Sequence, residues 1–95
     1  MIQESKQLFD LGQVVATPGA IVTFEKVDET IVSLLSRHVR GDWGNLHEED
    51  KTTNDEAVKE GYRILSAYKL SDGTKIWIIT EADRSSTCIL LPEEY

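Results

Sequence analysis

The chain is 95 residues long, 40% hydrophobic and 28% charged, with a formal net charge of −7; this bounds it to one compact domain (1–95) and excludes collagen-like, low-complexity and largely disordered chains. No apolar run approaches the roughly 20 residues of a membrane helix, and Met1-Ile2-Gln3-Glu4-Ser5-Lys6 lacks the basic-then-apolar pattern of a secretory signal. The acidity makes the chain a poor ligand for anionic membranes and for random nucleic acid, where affinity comes from Lys and Arg displacing counterions.

Residues 1–7 read as a flexible lead. Leu8 to Ala16 reads as a first strand with Phe9, Leu11 and Val15 at even spacing, interrupted at Gly12. Thr17-Pro18 has the form of an N-cap followed by proline at the first helical position, and Ala20, Ile21, Phe24 and Val27 continue it as a short helix. Asp28 is the expected cap of a second helix, whose apolar stripe runs through Ile31, Val32, Leu34, Leu35 and Val39 to a left-handed stop at Gly41. A third helix is predicted over Glu48 to Tyr62, with the capping-box spacing of Thr53 and Glu56 offering a later start. Ile64 to Leu70, Lys75 to Glu81 and Ser86 to Leu91 read as strands, the first two joined at Asp72-Gly73 in a tight turn with positive φ at both positions.

The predicted fold is therefore α+β: a mainly antiparallel four-stranded sheet, with three helices between strand one and the C-terminal strands and packed on one face. The run Ile76-Trp77-Ile78-Ile79 is apolar on both faces of its strand. With helices on one side only, Trp77 or Ile79 is expected to face another protein chain, and self-association is one expectation.

Several stretches are similar to a small bacterial family of uncharacterised, plasmid-related proteins: Leu11 to Ala20 (LGQVVATPGA), Arg37 to Gly44 (RHVRGDWG), Leu65-Ser66-Ala67-Tyr68, Asp72-Gly73-Thr74, Ile76 to Arg84 (IWIITEADR) and Leu90 to Tyr95 (LLPEEY). The resemblance implies bacterial origin, a cytoplasmic location and an association with mobile elements. It implies no catalytic residue and no cofactor.

The chemically richest stretch is Arg37-His38-Val39-Arg40-Gly41-Asp42-Trp43-Gly44. A small phosphodiesterase needs a proton-transfer group and cations to stabilise developing phosphate charge, and His38, Arg40 and Asp42 offer that set. Against this, Arg37, His38 and Arg40 fall in the last turn of a helix, where positive charge complements the dipole. His38, four residues after Leu34, also fits the border of the core, and Trp43 fits a lid over it. Glu81, Asp83 and Arg84 form with Trp43 a second candidate binding group, or else a polar turn.

From His47 to Glu60, six acids and two lysines form either a solvated helix face or a surface for a basic partner. Cys88, the single cysteine, reads as a small buried hydrophobe that fits a reducing cytoplasm. No compact metal-ligand spacing exists, so no metal and no cofactor are expected. The sequence points first to a non-enzymatic cytoplasmic protein that binds another protein as a regulatory or accessory factor. A small RNA-acting enzyme centred on His38, Arg40 and Asp42 is the alternative.

Overall fold

The computed structural model describes residues 7–95, so the expectation for the lead lies, apart from Gln7, outside the described residues. The elements in order are β1 (Gln13–Ala16), α1 (Pro18–Glu25), α2 (Ile31–Val39), α3 (Glu48–Glu60), β2 (Ile64–Lys69), β3 (Lys75–Thr80) and β4 (Ser86–Leu90), followed by a 3-10 turn at Pro92–Glu94. The class is α+β with a four-stranded sheet of order β1-β4-β3-β2.

The sheet is mixed, which corrects the mainly antiparallel expectation at its first strand. β2–β3 and β3–β4 are antiparallel, but β1 joins β4 in parallel. The helical layer between β1 and β2 returns the chain to its starting end, as a crossover does. Three alternating passes then bring β4 up in the same direction as β1.

Local chemistry sets the boundaries. β1 is confined to four residues because Gly12, at φ +65°, turns the chain against Arg84 and Ser85, where any Cβ would collide with backbone. The Thr17 hydroxyl accepts the amide of Ala20 and Pro18 opens α1, as the sequence predicts. The cap of α2 is Thr30, not Asp28: its hydroxyl accepts from the Ser33 amide at 3.1 Å. Glu29 is drawn away from the helix, its carboxylate accepting the amide and hydroxyl of Ser71 at the far hairpin. α3 starts at the earlier of its two expected positions, with Glu48, Glu49 and Asp50 in the first turn, and stops at left-handed Gly61.

The hairpin between β2 and β3 is a three-residue loop rather than a two-residue one. Gly73 donates to the Leu70 carbonyl, Leu70 donates to Thr74, and positive φ falls at Gly73 and not at Asp72. That is a type I turn closed by a glycine bulge.

One face of the sheet carries the main core. Tyr68, Ile76, Ile78 and Ile89 are buried there with Ala20 of α1 and Leu34 of α2. A second cluster joins Phe9, Trp43, Ala57 and Ile64, so α3 packs against β2. On the opposite face Ile79 is buried and Trp77 is half-buried. The Tyr95 ring lies edge-on to Trp77 at 5.7 Å and its hydroxyl accepts from Arg63. The chain's own last residue thus covers part of the face where Trp77 or Ile79 was expected to meet another protein.

Candidate functional site

His38 ends an apolar row on α2, one turn beyond Leu34, which directs its imidazole at the sheet. It is fully buried, with Nδ1 2.5 Å from the Ser66 hydroxyl and Nε2 2.9 Å from the Thr80 hydroxyl. Thr80 in turn lies 2.7 Å from the Thr87 hydroxyl, which donates to the Leu11 carbonyl at 2.8 Å.

The direction of every proton follows from that last bond. A carbonyl only accepts, so Thr87 uses its hydrogen on Leu11 and accepts from Thr80. Thr80 then accepts from His38, which places the imidazole proton on Nε2. Nδ1 is left as an acceptor for Ser66. Burial pushes the His38 pKa down to about 4, so at neutral pH the imidazole is uncharged and held in that one tautomer. Phe9 meets the ring edge-on at 5.2 Å and Trp43 at 5.9 Å. The imidazole is a junction between three strands, enclosed by aromatic rings.

The neighbouring candidates are engaged in different tasks. Asp42 receives Arg37 at 2.7 and 3.3 Å and the Gly44 amide at 3.3 Å, and the guanidinium holds its carboxyl below the usual range. Arg37 also lies over the Tyr68 ring, whose hydroxyl donates to the Asp42 carbonyl; burial lifts the Tyr68 pKa to about 12. Arg40 is exposed and donates to the Ser36 carbonyl of its own helix. Trp43 is buried, stacks on Phe9 and donates its indole N–H to Asp55 of α3 at 3.0 Å.

The Glu81–Arg84 turn is built around one cation. Arg84 stands at φ +60°, a conformation a non-glycine residue adopts at a cost. Its guanidinium donates to the carbonyls of Tyr62, Glu81, Ala82 and Ala57, fastening the hairpin to the end of α3. Asp83 accepts the Ser85 amide, and Glu81 sits 3.8 Å from Arg63. His38 and Asp42 do not meet this turn. Two depressions of 310 Å³ lie beside β2, and neither is lined by His38, Asp42 or Arg84.

The two sheet edges differ sharply. Along β2, Ala67 donates to the Trp43 carbonyl and accepts from the Asn45 amide. Next to them, the Asn54 side chain accepts from the Leu65 amide at 3.2 Å and donates to its carbonyl at 2.7 Å, as a neighbouring strand would. Gly44 makes the close approach possible, since a Cβ there would stand 2.0 Å from the Ala67 oxygen. Along β1 the arrangement is open among the described residues. Gln13 donates to Ser85, just before β4, and Thr17 to Ile89 of β4, so by strand alternation the amides and carbonyls of Val14 and Ala16 point away from β4. Val14 and Val15 are 41% and 43% exposed.

That open edge was not singled out from the sequence, although a signal exists. Leu11 to Phe24 is a run of 14 residues without one charge, and Thr30 to Ser36 is a second uncharged run, in a chain with 28% charged residues. Val14, Val15, Ile21, Val22 and Val32, all exposed, fall inside these two runs. The polar junction was likewise missed, and its signal is a hydroxyl at inward-facing positions of apolar strands: Ser66, Thr80 and Thr87.

Among the described residues no group of three His, Cys, Asp or Glu side chains could hold a metal, and no helix is long and apolar enough to cross a membrane. Comparison of the chain with protein-family models, with curated proteins and with solved structures gives no match.

Proposed function

We propose that this chain is a small non-enzymatic protein that acts by contact with another protein, a regulatory or accessory factor of a bacterial mobile element working in the cytoplasm. One contrast carries the reading. The one candidate acid–base group, His38, is buried, and Asp42 and Arg84 are bonded within the chain, while the uncharged sector at β1, α1 and the start of α2 is exposed. His38 has both nitrogens bonded and no surface. Arg84 is surrounded by backbone carbonyls, and Asp42 is paired with Arg37. An exposed apolar sector in an acidic chain fits a protein partner better than a nucleic acid or an anionic membrane. The mobile-element and cytoplasmic setting comes from the sequence resemblance alone.

The test is site-specific photo-crosslinking in the host cell. A photoreactive residue at position 14 is expected to trap protein, and one at position 83, on the polar turn, is expected to trap little. Equal or absent adducts at the two positions would overturn the reading. So would hydrolysis of bis-(p-nitrophenyl) phosphate or RNA that His38→Gln abolishes while the chain stays folded.

A further inference from the structure

We infer that the open edge of β1 is a self-association surface, on which a second copy of this chain adds its own β1 in antiparallel register to form a continuous eight-stranded sheet. The inference rests on the reading of the uncharged sector as a contact surface and names its occupant.

Four observations select that occupant. The first is the backbone. Val14 and Ala16 present two outward amides and two outward carbonyls, and such an array pairs with an extended strand. The second is the lack of protection: Gln13-Val14-Val15-Ala16 contains no lysine, proline or bulge, the devices that normally blunt an edge, whereas the β2 edge is closed by Trp43, Asn45 and Asn54.

The third is the charge distribution. Two chains of −7 repel, so copies meet most favourably where charge is absent, and the run from Leu11 to Phe24 is such a place. A basic partner would instead be drawn to Glu48, Glu49 and Asp50 of α3.

The fourth is self-complementarity. With a two-fold axis at Val15, Val14 exchanges hydrogen bonds with Ala16 of the other copy and Ala16 with Val14, which satisfies all four outward groups. Val15 then faces its own counterpart in a non-hydrogen-bonded pair, where side chains approach most closely. The exposed valines on the two faces of the strand continue the contact. A tenth of the 5964 Å² surface from each copy totals about 1,200 Å², the low end for a stable association. A concentration-dependent dimer follows, with a dissociation constant on the order of 10–100 μM.

The experiment combines sedimentation with register-specific cross-linking of the full chain. Wild type is expected to pass from monomer to dimer between about 1 and 500 μM, bracketing the expected constant. Val15→Lys, which sets two ammonium groups opposite each other at the axis, is expected to raise the dissociation constant at least about tenfold without lowering the melting temperature of the dilute chain. Val15→Thr keeps the β-branch and is expected to retain the dimer. In a Cys88→Ser background, Val15→Cys is expected to form an intermolecular disulfide, because the facing Cα atoms lie within bridging range. Gln13→Cys is expected to form none, because its counterpart lies about four residues away along the strand.

A wild type that stays monomeric across this range would overturn the inference, as would a Val15→Lys dimer of unchanged strength or equal cross-linking at positions 13 and 15. If position 14 traps a different protein in cells while the pure chain stays monomeric, the second copy is wrong and the contact reading stands. If neither occurs, both fall.

Discussion

The two edges of this sheet handle the same physical problem in opposite ways. An edge strand carries unpaired backbone donors and acceptors, which either find partners within the fold or remain available to another chain. At β2 the partners are supplied internally, by the backbone of Trp43 and Asn45 and by the side-chain amide of Asn54. At β1 the outward groups of Val14 and Ala16 meet none of these devices, and the flanking surface is apolar and uncharged. The difference teaches where a small fold closes itself and where it stays open. The side facing α3 is sealed by short-range bonds that only particular residues can make, and the side facing away is kept extended and neutral.

Between the edges runs the buried chain of hydroxyls centred on His38. It starts on β2 at Ser66, crosses β3 at Thr80 and β4 at Thr87, and ends on the Leu11 carbonyl just before β1. The closed edge and the open one are therefore joined by a single polarised series of hydrogen bonds. Breaking it is expected to weaken the lead into β1 as well as the packing of α2.

The contrast can be broken most severely at its tightest point. Gly44→Ala places a Cβ 2.0 Å from the Ala67 oxygen at a residue with φ +79°, and is expected to cost about 3–5 kcal/mol by denaturant unfolding. A loss under about 1 kcal/mol would mean that the 43–45 segment does not hold the β2 edge.

The next effect is one of pH. The pKa of His38 is near 4 in the fold and 6.5 as a free side chain, so the unfolded chain takes up a proton first as pH falls. The stability contributed by the neutral imidazole is constant above about pH 6.5, declines between there and pH 4, and levels off below, for a total near 3 kcal/mol. Subtracting the unfolding free energy of His38→Gln across this window isolates the contribution. A flat difference curve would show the imidazole to be solvated.

Asn54→Ala is a milder cut at the same edge. It leaves the Leu65 amide and carbonyl without their partner, and a loss of about 2 kcal/mol is expected. Asn54→Asp keeps the acceptor for the amide and removes the donor to the carbonyl, so its loss should be comparable and not smaller than the value for one missing bond. The smallest effect belongs to the open edge: Val15→Lys is expected to change the stability of the dilute chain by no more than about 0.5 kcal/mol. A larger change would place Val15 inside the fold rather than on its rim.

Much of the architecture was legible in the residues themselves. Thr17-Pro18 announced α1, the stripe from Ile31 to Val39 announced α2, and Asp72-Gly73 marked the hairpin. The errors have a common physical origin in partners far away in the chain. Asp28 lost the cap of α2 because Glu29 is bound at Ser71 and Thr30 is free to cap. β1 was expected to be longer because the obstacle at Gly12 is the backbone of Arg84 and Ser85. The parallel pairing of β1 depends on how many times the helical layer reverses the chain, a count that local periodicity does not contain. For the site, the stretch from Arg37 to Gly44 stands out in the sequence as dense in chemistry. Which way His38 points, however, is decided by hydroxyls 28 and 42 residues later.

Amide hydrogen exchange tests the central claim most directly, because it reads both edges in one sample. At about 1 μM the amides of Val14 and Ala16 are expected to exchange rapidly while those of Leu65 and Ala67 are protected. At about 500 μM the Val14 and Ala16 amides are expected to slow by about four- to ninefold, the fall in monomer fraction for a constant of about 10–100 μM, with Leu65 and Ala67 unchanged. Val14 and Ala16 amides that exchange at the same rate at both concentrations, or a Leu65 and Ala67 pair as labile as they are, would contradict the account of one closed edge and one open to a second copy.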